Sequence, residues 1–123
     1  MVRRLVRLTV STTVFLLVFL TFSTSFAALG VDLTFTPRRA TSGAEIDAMM
    51  KAAAAGPLKG VLQYSDAPLV SIDFNHDPHS STYDSTMTRI IDGKLVKVCA
   101  WYDNEWGFSN RMLDVTTAWS RAS

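Results

Sequence analysis

An Asp92-Gly93 step separates two runs of strand-forming residues, 86–91 and 94–102. No other feature constrains the fold as much. Asp-Gly between such runs supplies the positive-φ residues of a tight turn, so the two runs must fold back on each other as an antiparallel hairpin. The rest of the chain has to be built around that pair. Upstream, "VDLTFT" alternates apolar and polar residues and predicts a strand over 31–36, ended by Pro37. "SGAE" reads as a capping box, with Ser42 capping a helix and Glu45 reaching back to it. Ile46, Met49, Met50 and Ala53 then fall at helical spacing on one apolar face, which is expected to pack into a core. Gly56-Pro57 stops that helix. Two short strands are expected over 61–64 and 69–74, with a turn at 66–68. Ser109 or Asn110 would cap a last helix with Met112, Val115 and Trp119 on one face. Strands dominate and no βαβ rhythm repeats. The expected class is α+β, an antiparallel or mixed sheet with its helices on one side.

The chain of 123 residues allows one small domain. Its formal net charge of +1 provides no field for nucleic acid or an acidic membrane surface, so neither is expected as a partner. One cysteine, Cys99, excludes an internal disulfide and any zinc site built on paired cysteines. The composition is uneven, however. Residues 1–30 begin with Arg3, Arg4 and Arg7 and carry no further charge until Asp32. Residues 14–22 are apolar except for Thr21, and small residues follow. The pattern fits a secretory signal peptide. The uncharged run is also long enough for a membrane span of about 20 residues, although serines and threonines dilute it. A third reading is translated sequence upstream of a truncated or frame-shifted gene. The chain therefore divides into a leader-like segment, 1–30, and a folded unit, 31–123.

Few residues could carry chemistry. Cys99 lies mid-strand in "LVKVCAWY", where nothing local lowers a thiol pKa, and reads as a buried small hydrophobe. "DFNHDPHSS" brings Asp73, His76, Asp77 and His79 together, but Pro78 argues against the helix that would align both imidazoles on a metal. These residues read as a structural turn. There is no Gly-rich dinucleotide fingerprint, P-loop or serine elbow. The polar and aromatic cluster "WYDNEWGFSN", 101–110, remains, between a strand and a helix. It reads equally as a binding junction or as a cover for the end of the sheet.

"VDLTFTPRR", "AAAAGPLKGVLQYSDAPLVSIDFNHDPHSSTYD" and "DGKLVKVCAWYDNEWGFSNRMLDVT" closely resemble the C-terminal part of glyceraldehyde-3-phosphate dehydrogenase. The likeness runs from about Val31 to Thr117, most of the chain, and includes the long family motif "SWYDNEWGYSNR". Erythrose-4-phosphate dehydrogenase is a similar sister family. The resemblance implies an NAD-dependent, phosphorylating aldehyde oxidoreductase of glycolysis, cytoplasmic and homotetrameric. It implies that Asn104 pairs with the nicotinamide carboxamide of NAD, since an amide both donates and accepts. It implies that Phe108, where the family usually has tyrosine, lies beside the nicotinamide, and that Glu105 helps hold the loop. The last helix would pack against an N-terminal NAD-binding domain. In the family a cysteine attacks the aldehyde, hydride passes to NAD and phosphate releases the acyl group. That cysteine, its histidine base and the dinucleotide domain belong upstream of the matching region. Neither Cys99, His76 nor His79 corresponds to them, so no catalytic residue is assigned. The abrupt junction near Gly30 favours a truncated or frame-disrupted reading frame over an export signal. Secretion or membrane anchoring would follow only from a genuine leader. The alternative to enzymatic ancestry is a non-catalytic interaction or structural module.

Overall fold

The computed structural model describes residues 28–122. The expected leader lies outside the described residues as far as residue 27, while Leu29 and Gly30 belong to the first strand. The elements run β1 (Leu29–Phe35), α1 (Gly43–Ala55), β2 (Leu62–Ser65), a short 3-10 helix (Ser71–Phe74), β3 (Ser81–Ile91), β4 (Leu95–Tyr102) and α2 (Trp106–Ala122). One four-stranded sheet forms in the order β1-β4-β3-β2. β4 pairs antiparallel with both β1 and β3, and β2 runs parallel to β3, so the sheet is mixed.

The β3–β4 hairpin forms where the Asp-Gly step requires it. Asp92 and Gly93 both take positive φ, 50° and 64°, and Lys94 N–H closes the turn on the Ile91 carbonyl at 2.9 Å. A side chain at 93 would be strained by that φ and would meet Ala40 Cβ at 3.2 Å. Gly93 is therefore needed both for the turn and for its packing on the 40–41 loop. β3 starts at Ser81, five residues before the expected start. Its first half is polar yet buried: Ser81, Thr82 and Asp84 are all enclosed. Thr82 and Asp84, whose burial would cost energy if they were unpaired, find partners. Thr82 Oγ1 donates to Gln63, and Asp84 accepts from Thr86 and from the Trp101 indole at 2.9 Å. The register then slips between Asp84 and Arg89, a bulge that bends the strand.

The expected strand over 69–74 is not formed. Its last four residues are the 3-10 helix, in which only Phe74 is buried while Ile72 is 71% exposed. Parallel strands cannot be joined by a tight turn, so β2 needs a crossover to reach β3, and this segment lies in that crossover. Asp73 secures it by accepting the Val70 N–H at 2.9 Å.

α1 starts at Ser42, whose hydroxyl accepts the Glu45 N–H at 3.3 Å. The Glu45 carboxylate is taken by Arg39 and by Thr41 Oγ1, which replaces the second half of the expected capping box. The helix lies against β2 and β3. Ile46, Tyr83, Val96 and Val98 form the buried core, flanked by Met50, Leu62, Tyr64 and Ile90. Met49 does not join them. It is 58% exposed, because the sheet takes only the part of the helix face that includes Ile46 and Met50. The Tyr83 hydroxyl donates to Asp47 at 2.8 Å and so ties sheet to helix.

α2 starts at Trp106, ahead of the expected caps, because Asp103 supplies the cap. Asn110 instead donates back to the Trp106 carbonyl at 2.8 Å. Phe108, Met112, Val115 and Trp119 do share a stripe, but all are exposed here. The Arg111 guanidinium links this helix to the body, donating to the Gly60 carbonyl at 2.9 Å and pairing with Asp114. Charge-assisted bonds of this kind contribute roughly 1.5–3 kcal/mol. Arg111→Ala is therefore expected to raise amide exchange across 112–122 by about tenfold or more. Unchanged exchange would show that another contact holds the helix. No helix among the described residues is long and apolar enough to cross a membrane.

Candidate functional site

The site lies where β4 ends and α2 begins. Asp103 leaves the last sheet residue, Tyr102, and its side chain turns back under the helix. Asp103 Oδ1 accepts the N–H groups of Glu105 and Trp106 at 3.0 and 2.8 Å, and its backbone carbonyl accepts Gly107 N–H at 3.0 Å. This is N-cap geometry, with Asn104 as the first residue of the opening turn. The other oxygen, Oδ2, accepts the N–H of His76 at 2.9 Å, from a segment 27 residues away. Burial opposes charge on Asp103, but three backbone donors outweigh it and hold the carboxyl below its ordinary range.

His76 adopts a left-handed φ of 61°, which costs a non-glycine residue energy. That conformation presents its N–H to Asp103, and its ring rests against Trp106 with centroids 5.1 Å apart. Gly107 closes the junction. A Cβ there would stand 2.8 Å from the His79 carbonyl, so only glycine lets the helix approach the 79–80 backbone. The resulting cleft of about 370 Å³ is lined by Asn75, His76, Asp103, Asn104, Glu105, Trp106 and Ser109.

Of the three residues singled out from the sequence, Asn104 and Glu105 line this cleft. Phe108 lies on the neighbouring apolar groove with Met112, Val115 and Trp119, and is 64% exposed. Sequence reasoning places Asp103 and Trp106 only within the 101–110 cluster and His76 only in a turn, and assigns none of the three to a site. Aspartate is among the strongest capping residues, so its place directly after the strand was a readable signal. The His76 contact was not readable, because it crosses between distant segments.

The "DFNHDPHSS" loop is a turn held by Asp77, which accepts His79 N–H at 2.9 Å and contacts His79 Nδ1 at 2.6 Å. Among the described residues no group of three or more His, Cys, Asp or Glu side chains could hold a metal ion. Cys99 is buried in the sheet, where its thiol donates to Asp32. Burial first, and then the neighbouring carboxylate, push the thiol up to about 11. Such a thiol is a poor nucleophile at neutral pH.

Comparison with known proteins fits these elements. Residues 24–104 match the family described as "Glyceraldehyde 3-phosphate dehydrogenase, C-terminal domain". The chromosomal glyceraldehyde-3-phosphate dehydrogenase of Cupriavidus necator is 60% identical over 92 residues, covering 75% of this chain and 27% of that protein. The glyceraldehyde-3-phosphate dehydrogenase of Zymomonas mobilis is 61% identical over 85 residues, 68% of this chain and 25% of its own length. That of Cereibacter sphaeroides is 53% identical over 91 residues, 74% of this chain and 27% of its own length. The chain thus spans about a quarter of the length of the curated relatives it matches.

Proposed function

Because the chain belongs to the glyceraldehyde-3-phosphate dehydrogenase family, through its C-terminal domain, we propose that it serves the nicotinamide end of NAD in a phosphorylating aldehyde oxidoreductase. The observation that carries this reading is Asn104, a polar amide on the first turn of a helix whose start is fixed by a buried carboxylate, opening into a cleft. The fit to NAD is partial. An amide can pair with the nicotinamide carboxamide, donating once and accepting once, and so select which ring face is presented. Phe108, one turn on, offers an exposed ring that can lie beside a flat heterocycle. Glu105 lies on the same turn and lines the same cleft. Groups that would anchor the pyrophosphate and ribose are not among the described residues. NAD, when bound, supplies the hydride acceptor.

The relatives' names favour glyceraldehyde-3-phosphate over erythrose-4-phosphate as the substrate. The solvent-facing stripe of α2 suits an N-terminal NAD-binding domain as its cover, and a cytoplasmic homotetramer is the assembly in keeping with the family. A second reading, a non-catalytic interaction module, has one observation in its favour: Cys99, the only cysteine in the chain, is buried.

The test is an exchange. The Cupriavidus necator relative would carry this chain's described residues in place of its own matching segment. It is expected to reduce NAD, and Asn104→Ala is expected to raise KM for NAD about two- to tenfold, as loss of one neutral hydrogen-bonded pair predicts. A folded exchange enzyme in which Asn104→Ala leaves KM unchanged would refute the assignment.

A further inference from the structure

We infer that Asp103 is a positioning residue for the cofactor amide, setting the direction of Asn104 by clamping the helix start to the His76 loop. The inference rests on the reading of Asn104 given above and adds a residue that does not itself meet the cofactor. Three facts carry it. The Asp103 side chain is buried and divides its two oxygens between two segments: Oδ1 holds Glu105 and Trp106, and Oδ2 holds His76. Asn104 lies directly between the capping residue and the first capped N–H, so both peptides that flank it are set by the clamp. Finally, His76 holds a left-handed backbone with its N–H on Oδ2, a conformation that persists only when its surroundings over-determine it.

A cap alone would need one oxygen. Serine or asparagine would cap the helix equally well, but each has a single acceptor oxygen, whereas the carboxylate offers one to each segment. The second oxygen holds the helix start in place against the loop rather than merely starting it. Asn104 projects from that start, so loss of the His76 bond leaves the helix intact and lets the amide drift.

The experiment uses the exchange holoenzyme. Asp103→Asn keeps an acceptor for the helix and loses the one for His76. It is expected to raise KM for NAD by about threefold, with a smaller change in kcat, while melting shows a folded enzyme. Asp103→Ser, which caps from a shorter arm, is the second variant and is expected to give the same loss. The deciding measurement is the double variant. On an Asn104→Ala background, Asp103→Asn is expected to have no further effect on KM, because the two act through one contact. Additive losses, or an unchanged KM in a folded form of either single variant, would overturn the inference while leaving the role of Asn104 standing. If Asn104→Ala alone has no effect, both readings fail together, and that outcome is distinguishable from the others.

Discussion

Incubated with glyceraldehyde-3-phosphate, NAD and phosphate, the chain by itself is expected to produce no NADH above the blank. A covalent dehydrogenase mechanism needs an accessible thiolate beside a base. Cys99 offers neither. It is 5% exposed, and its thiol donates to Asp32 across the β1–β4 pair. With the thiol pushed up to about 11, its thiolate fraction at pH 7.5 would be on the order of a few in ten thousand. The same environment makes a second expectation of the same experiment. Iodoacetamide should label Cys99 slowly in the native chain and rapidly after denaturation. Turnover that vanishes in Cys99→Ser would overturn both the burial argument and the view that this chain supplies only one wall of an active site.

Tyr83→Ala is expected to unfold the chain or bring it close to unfolding. Among the described residues Tyr83 is the largest fully buried side chain, 1% exposed, and it packs in a small core with the buried Ile46, Val96 and Val98. Truncating a large buried aromatic typically costs about 3–5 kcal/mol. Total stability for a domain of this size is typically about 5–15 kcal/mol, and a small core places it at the low end. Tyr83→Phe keeps the ring, removes the hydroxyl's bonds to the half-buried Asp47 and to Thr88, and is expected to cost about 0.5–1.5 kcal/mol for each. Urea denaturation followed by tryptophan fluorescence separates the two variants. A Tyr83→Ala protein with an unchanged midpoint would mean that the described core is not what holds the sheet together.

The parts of this fold that could be read in advance are those whose cause is local. Asp92-Gly93 dictates its own turn, and Ser42 with Gly56 brackets α1, because each acts through neighbours a few residues away. The first half of β3 escaped notice for the opposite reason. Thr82 and Asp84 look like loop residues until Gln63 and Trp101 arrive to satisfy them. The segment at 69–74 has strand-forming residues, but the parallel pairing of β2 with β3 turns that stretch into a crossover. Asp103 shows both sides of the rule. Its capping of α2 is local and could have been read, whereas its hold on His76 spans 27 residues. The role proposed for Asn104 comes from likeness to a family, since no spacing or periodicity distinguishes an amide that meets a cofactor from one that meets water.

β1 finds its partner late. Asp32 pairs with Cys99 across 67 residues, whereas β3 meets β4 across the short turn between Ile91 and Leu95. The hairpin can close in microseconds once both halves exist. β1, by contrast, is made before β4 and must wait for it. At a synthesis rate of about 5–20 residues per second, that delay is on the order of several seconds. For that interval the emerging chain carries a strand with an unpaired backbone and apolar side chains at Leu33 and Phe35, both still partly exposed in the finished sheet. An unpaired strand edge is a template for another chain. The risk of misassembly is therefore greatest on the ribosome, before β4 has been translated.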